Sequence, residues 1–373
     1  MPRSFDDIGV SREDNITIPA GKCRHPTLPA QADHQETAIE ARTEIRARPT
    51  AWQQELADAI RDPDILIDRL GLPDSLRPGA RRAAELFPLF VTDSFLRRMR
   101  LGDPRDPLLL QVLPLDAENQ SHPGFTRDPL EEASAHQAPG LLQKYAGRAL
   151  MISTGACAIH CRYCFRRSFP YGDEPRRLAD WEPAFERLQA DPSIREIILS
   201  GGDPLMLSDA RLLEIVARLD EIGHLDRLRV HTRLPIVLPS RVTGRLIDLL
   251  DSTRMTPIVV VHANHPAEIV DDCRDALRLL VTSGLTVLNQ TVLLAGINDA
   301  VEPLTELCER LINVGVMPYY LHQLDRVGGT AHFEVAVPRG LALIEELRAR
   351  LPGYAVPQYV REVPGERHKV PLG

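Results

Sequence analysis

From Arg148 onward, short runs rich in Val, Ile and Leu recur six times, at residues 149–152, 196–199, 228–230, 258–261, 286–288 and 317–321. Segments with helical spacing separate or follow them, at 209–222, 241–250, 266–281, 301–313 and 339–351. A few apolar residues suffice for a buried strand but not for a helix, so the pattern reads as strand, helix, strand. Repeated six times, it predicts parallel strands covered by helices. A polar group stands where each strand should end: Cys157, Gly201-Gly202-Asp203, His231-Thr232-Arg233, His262-Ala263-Asn264, Asn289-Gln290 and His322-Gln323. In βα barrels the site lies at the C-terminal mouth of the strands, so these groups should converge on one cavity. Six units are fewer than the eight of a closed barrel. The expected fold is α/β: a partial, open TIM-type barrel of about six βα units with an N-terminal helical region.

The first of those strand ends carries the chemistry. Cys157, Cys161 and Cys164 form a C-x3-C-x2-C triplet on one short loop. Three thiolates can each hold one iron of a [4Fe-4S] cluster, and the lack of a fourth leaves one iron open to a small ligand. In an oxygen-avoiding enzyme that ligand would be S-adenosylmethionine. A structural zinc loop is the competing reading, but zinc wants four converging ligands, usually as two C-x2-C or C-x2-H pairs. His160 is adjacent to Cys161, too close in sequence for a relaxed tetrahedron, and Cys23, Cys273 and Cys308 are scattered. A chance spacing is the third reading.

Composition narrows the partners. With 43% hydrophobic and 26% charged residues, the chain has the make-up of an ordinary soluble protein. Its net charge of -8 argues against nucleic acid, which needs clustered Lys and Arg. No apolar run approaches the roughly 20 residues of a membrane span, and Met1-Pro2-Arg3-Ser4 opens no signal-peptide core. A cytoplasmic protein with reduced thiols is expected.

Residues 1–48 lack a sustained apolar period and are expected to form a flexible tail, with Cys23 an inert thiol. Over 49–143, helical stretches at 52–60, 80–86, 93–99 and 107–112 alternate with proline breaks, giving a helical cap. The barrel is expected over 144–351, and 352–373 forms a C-terminal segment.

The cysteine loop, the turn Ser200-Gly201-Gly202-Asp203-Pro204-Leu205 and the strand end Leu288-Asn289-Gln290 together resemble the radical S-adenosylmethionine superfamily. More narrowly, residues 145–369 resemble lysine 2,3-aminomutase. From about Trp52 onward the chain is similar to the short bacterial form that makes (R)-β-lysine for modification of elongation factor P. The runs Cys164-Phe165-Arg166-Arg167, Gly315-Val316-Met317-Pro318-Tyr319-Tyr320 and Gly329-Thr330-Ala331-His332-Phe333 carry the closer match.

The resemblance implies an isomerase that moves the amino group of L-lysine from C2 to C3 by radical chemistry, and it implies roles residue by residue. Lys369 corresponds to the lysine that holds pyridoxal 5'-phosphate, although the family's glycine-rich run before it is here largely Glu366, Arg367 and His368. On composition alone, a lysine so near a C-terminus would be a solvated charge. Arg148 falls where the family binds the cofactor phosphate, with Tyr145 and Lys144 nearby. Arg166 matches the arginine that grips the substrate α-carboxylate. Asp325 and Glu362 match two acids that receive the distant ammonium, the second usually Asp in lysine enzymes. His262 and Gln290 match contacts to S-adenosylmethionine, and Gly201-Gly202-Asp203 matches the turn that receives its methionyl amino group.

The implied partners are L-lysine, an electron donor and a ligase acting on elongation factor P, with a homo-oligomer as a further expectation. Longer relatives carry zinc-binding cysteines beyond the pyridoxal lysine. Here the chain stops at Gly373 and Ala300 replaces another such cysteine, so no zinc is expected. Several alternatives stay open: a free lysine aminomutase of secondary metabolism, another radical aminomutase, a radical enzyme without pyridoxal, and a non-catalytic cluster protein of the translation machinery. The acidic pair argues against glutamate as substrate.

Overall fold

The computed structural model describes residues 49–373. The expectations placed on residues 1–48 and on Cys23 lie outside the described residues.

Ten strands form one sheet in chain order. They are β1 (His136–Ala138), β2 (Leu141–Tyr145), β3 (Arg148–Thr154), β4 (Glu196–Gly201), β5 (Arg227–Thr232), β6 (Thr256–His262), β7 (Thr286–Val292), β8 (Met317–His322), β9 (Gln358–Arg361) and β10 (Val370–Pro371). From β3 to β9 every neighbouring pair is parallel, whereas β1–β2, β2–β3 and β9–β10 are antiparallel. No pairing joins β10 to β1 among the described residues, so the barrel is open, as the sequence predicts.

Each parallel step is spanned by a helix: Glu182–Gln189, Asp209–Asp220, Gly244–Ser252, Asp271–Thr282, Val301–Asn313 and Val337–Arg350. The helix Asp209–Asp220 shows why these segments fold as they do. Its N-cap Ser208 accepts from the backbone of Arg211, and Leu212, Ile215, Val216 and Leu219 recur at helical spacing on one buried stripe. Burying each such side chain contributes about 1.5–3 kcal/mol. On β5, Leu228 and Val230 are buried while Arg229 and His231 line the inner face. That period of two sends one set of side chains to the helices and the other to the cavity.

The ends of the sheet depart from expectation. β1 and β2 occupy the close of the stretch read as helical. Leu141-Leu142-Gln143-Lys144-Tyr145 has no β-branched residue, and its strand state comes from pairing with β3, Leu142 opposite Leu150 and Tyr145 opposite Arg148. Gly147, at a φ of 77°, closes the two-residue turn between them. The segment 352–373 joins the same sheet, adding β9 as a seventh parallel strand beyond the six expected and β10 as its hairpin partner. Four residues reading Gln-Tyr-Val-Arg carry too little pattern to announce a strand.

Ahead of the sheet, helices Ala51–Ala57, Pro63–Leu70, Arg77–Leu86 and Asp93–Leu96 pack into the core of the barrel: Trp52, Leu66, Ala80 and Phe95 share one apolar cluster with Leu199, Leu212 and Val261. Among the described residues no helix is long and apolar enough to cross a membrane.

Candidate active site

The C-terminal ends of the parallel strands open into a cavity of about 500 Å3. Every residue given a site role from the sequence lines it: Cys157, Cys161 and Cys164, Tyr145 and Arg148, Arg166, Gly201, Gly202 and Asp203, His262, Gln290, Asp325, Glu362 and Lys369, whereas the strand-end residues Ala263, Asn264, Asn289 and Gln323 do not.

The cysteine loop is braced from behind by the N-terminal region. Arg162 is wholly buried and donates to both oxygens of Glu118, at 2.8 and 2.6 Å, and to the carbonyl of Phe87 at 2.7 Å. Arg167 meets the same Glu118 at 2.7 Å. His160, the one nearby candidate for a zinc ligand, is instead bonded through Nδ1 to the carbonyl of Pro88 and stacked on Phe87. The three cysteines are left half-buried and facing the cavity, with Arg233 donating to Sγ of Cys161 at 2.7 Å. Burial pushes the Cys164 thiol up to about 12. A bound cation reverses that, because a coordinating thiol is deprotonated outright. A cluster takes each thiolate on a different iron, and this donor set fits it.

The glycine turn serves a purpose its sequence did not disclose. A Cβ on Gly201 would come within 2.5 Å of the Thr154 carbonyl oxygen, and one on Gly202 within 2.3 Å of that of Ala156. The two glycines thus let β4 close against the chain leading to Cys157, and the contact is fixed by N–H bonds from Gly202 to Thr154 and from Asp203 to Ala156, at 2.7 and 2.8 Å. The Asp203 carboxylate was expected to accept from an ammonium. It already accepts from the Thr232 hydroxyl, at 2.8 and 3.0 Å, and from the backbone N–H of Leu205 and Arg233, at 3.0 and 2.6 Å. The single Thr232 hydrogen is shared between the two oxygens, so three donors occupy most of its roughly four lone-pair sites: the side chain organises the turn and keeps about one acceptor site in reserve.

Further round the mouth stand neutral imidazoles. Burial, with Arg233 beside it, pushes His262 down to about 3, and its Nε2 lies 3.2 Å from the Tyr163 hydroxyl. His231 and His322 are likewise held far below the usual range by burial, and each has a buried Nε2 with no hydrogen-bond partner among the described residues. Unpaired buried nitrogens are costly, and here both belong to residues lining the cavity, where a ligand can satisfy them. Sequence reasoning placed these two at strand ends but gave them no role.

Another part of the cavity wall is ionic. Arg166 is gripped by Glu132 at 2.7 and 2.8 Å, Lys144 bridges Glu132 and Glu362 at 3.2 and 2.9 Å, and Lys369 also pairs with Glu362. Burial would raise Glu362, but Lys369 and Lys144 hold its carboxyl well below the usual range. Among the described residues Asp325 has no side-chain partner, and burial together with Glu362 pushes it up to about 7. Arg148 lies over the Tyr145 ring at 4.5 Å and forms no ion pair among the described residues. Glu132 and the bridging role of Lys144 were missed. An acidic pair after Asp128-Pro129-Leu130 reads as a solvated loop, and nothing in it signals an inward turn.

Residues 151–308 match the model of the radical SAM superfamily. The L-lysine 2,3-aminomutase of Escherichia coli (strain K12) is 44% identical over 323 residues, covering 86% of this chain and 94% of the relative. This chain belongs to the lysine 2,3-aminomutase family. The enzyme of the same name from Haemophilus influenzae is 42% identical, with 85% and 94% covered, and that from Clostridium subterminale 33%, with 86% and 77% covered. With the family go an isomerase activity and three cofactors: a [4Fe-4S] cluster, S-adenosylmethionine and pyridoxal 5'-phosphate.

Proposed function

We propose that this chain converts L-α-lysine to β-lysine by moving the amino group from C2 to C3, with pyridoxal 5'-phosphate joined to Lys369. The product is the R isomer, passed to a ligase acting on elongation factor P. The observation that carries the reaction is that Lys369 and the unpartnered Asp325 open into the same cavity as the three cysteines. The R isomer and its destination rest on the likeness to the short bacterial enzymes.

When bound, the cluster with S-adenosylmethionine supplies the radical and an external donor its electron, while pyridoxal phosphate carries the migrating nitrogen. The chain's own residues bind, orient and exclude water. Cys157, Cys161 and Cys164 hold the irons. The backbone at Gly201-Gly202, with His262 and Gln290, receives S-adenosylmethionine. Arg148, its guanidinium steadied on Tyr145, offers the phosphate a planar pair of donors that an ammonium cannot match. Arg166 takes the α-carboxylate. Asp325 and Glu362 take the ε-ammonium, and two acids there disfavour a substrate with a second carboxylate, which selects lysine over glutamate.

Anaerobic reconstitution, iron and sulfide analysis and a lysine turnover assay with chiral resolution of the product test the reaction. (R)-β-Lysine is expected, and borohydride reduction should label the peptide containing Lys369. A label on another lysine, or no β-lysine, would overturn it. Elongation factor P of unchanged mass in a deletion strain would overturn the assigned destination alone.

A further inference from the structure

Glu132 sits on the short turn Glu132–Ala135 ahead of β1, yet it is only 3% exposed. The backbone is bent to place it there. Glu131, just before it, adopts a φ of 51°, in the left-handed region that residues other than glycine seldom enter. Asp128 clamps the turn by accepting from the backbone N–H of Glu132 at 3.0 Å and of Ala133 at 3.2 Å. Strain of this kind persists where the surroundings over-determine it, and it gathers at binding sites. Inside the cavity the carboxylate takes the side edge of Arg166, Oε2 from Nε at 2.7 Å and Oε1 from Nη2 at 2.8 Å. Burial would raise the Glu132 carboxyl, but Arg166 and Lys144 hold it below the usual range, so it stays ionised.

We propose that Glu132 is a positioning residue for recognition of the substrate α-carboxylate: it grips Arg166 from the side, so that the remaining donors of the guanidinium are preset toward the cavity. The inference rests on Arg166 having the carboxylate-binding role in the proposed lysine reaction. A guanidinium carries five N–H donors. Glu132 takes those of Nε and one on Nη2, and the Ser200 hydroxyl takes one on Nη1 at 3.2 Å. One hydrogen is left on each terminal nitrogen, which suits the two oxygens of a single carboxylate. Holding the arginine beforehand removes the rotamer entropy that a free side chain would lose on binding. Lys144, shared between Glu132 and Glu362, keeps the local charge positive enough for a second carboxylate to arrive.

The test compares wild type, Glu132→Gln and Glu132→Asp as reconstituted holoenzymes, by equilibrium dialysis with labelled L-lysine and with cadaverine, the same diamine without the carboxylate. Glu132→Gln should weaken lysine binding at least tenfold, raise KM more than it lowers kcat, and leave cadaverine binding and iron content unchanged. If Glu132→Gln does not load iron, Glu132→Asp carries the same comparison, with a smaller loss confined to lysine. Lysine binding as tight as wild type or tighter, or equal losses for lysine and cadaverine, would overturn the proposal. A wild type that binds no L-lysine overturns the substrate reading and this inference with it. A wild type that binds lysine while the variants bind it equally well overturns the inference alone.

Discussion

At the cysteine end of the cavity, the fully buried Arg162 spends its donors on both oxygens of Glu118 and on the carbonyl of Phe87. At the Lys369 end, two lysines share Glu362, and the Asp325 side chain has no partner among the described residues. A buried pair whose donors and acceptors are met has one arrangement, and breaking it leaves an uncompensated charge. A carboxylate shared between two flexible ammonium groups has several. The first design suits a metal cluster that must not move. The second suits charges that are to be exchanged, one cation for another, as an amino acid enters and leaves.

If that contrast is right, the two ends should fail separately. The largest effect belongs to the cysteines: replacing Cys157, Cys161 or Cys164 with Ala should reduce S-adenosylmethionine cleavage to background. A triple variant that kept its iron and its turnover would remove the basis for a cluster end altogether. Lys369→Ala should also abolish lysine turnover, while iron content and reductive cleavage of S-adenosylmethionine persist. Loss of both functions together would show that the ends are not independent.

The next effect is on stability. Glu118→Gln leaves two arginines facing half a partner in a site with no solvent access, and breaking a buried pair typically costs about 3–5 kcal/mol. Chemical denaturation should show a loss of that order, with iron loading impaired. Asp325→Asn removes a charge that the proposed substrate ammonium needs, and truncating one partner of such a pair costs about 2–5 kcal/mol of binding. Lysine kcat/KM should fall accordingly, with cluster and pyridoxal content intact.

The same contrast explains what the sequence disclosed. The cysteine triplet is a local signal, three ligands within one loop, and the strand ends could be read because each βα unit repeats the same pattern. The fold, and the place of the cysteine loop at a strand end facing the cavity, were legible for those reasons. Residues such as Glu132 and Lys144 were not, because their importance comes from pairing with Arg166 and Glu362, more than thirty positions distant in sequence. β9 was lost for a related reason, since four mixed residues become a strand only when β8 is beside them. Asp203 was read as an acceptor lining the cavity, and the turn it already organises was not foreseen. Whether a carboxylate is already satisfied depends on where Thr232 and the backbone of Arg233 fall.

The smallest predicted effect concerns Asp325 in the ligand-free protein, and its sign separates a charge held in waiting from one that braces the fold. Its carboxyl titrates near 7 in the folded chain against an ordinary 3.8. Between those values the folded state keeps a proton that the unfolded state has lost, so Asp325 makes stability fall as pH rises through this window, and the cost levels off above about 7. Asn has no proton to lose. Asp325→Asn should therefore be more stable than wild type by about 1–2 kcal/mol at pH 8, allowing for screening by cavity water. The gain should shrink toward zero as pH approaches 4, measured by denaturant unfolding at each pH. The proposed substrate sees the opposite trend. Its ammonium needs the ionised carboxylate, so the apparent KM for L-lysine should fall as pH rises through about 7, and this dependence should vanish in the variant. A destabilised Asp325→Asn protein at pH 8 would mean that Asp325 is paired like Glu118, and the difference between the two ends of the cavity would not hold.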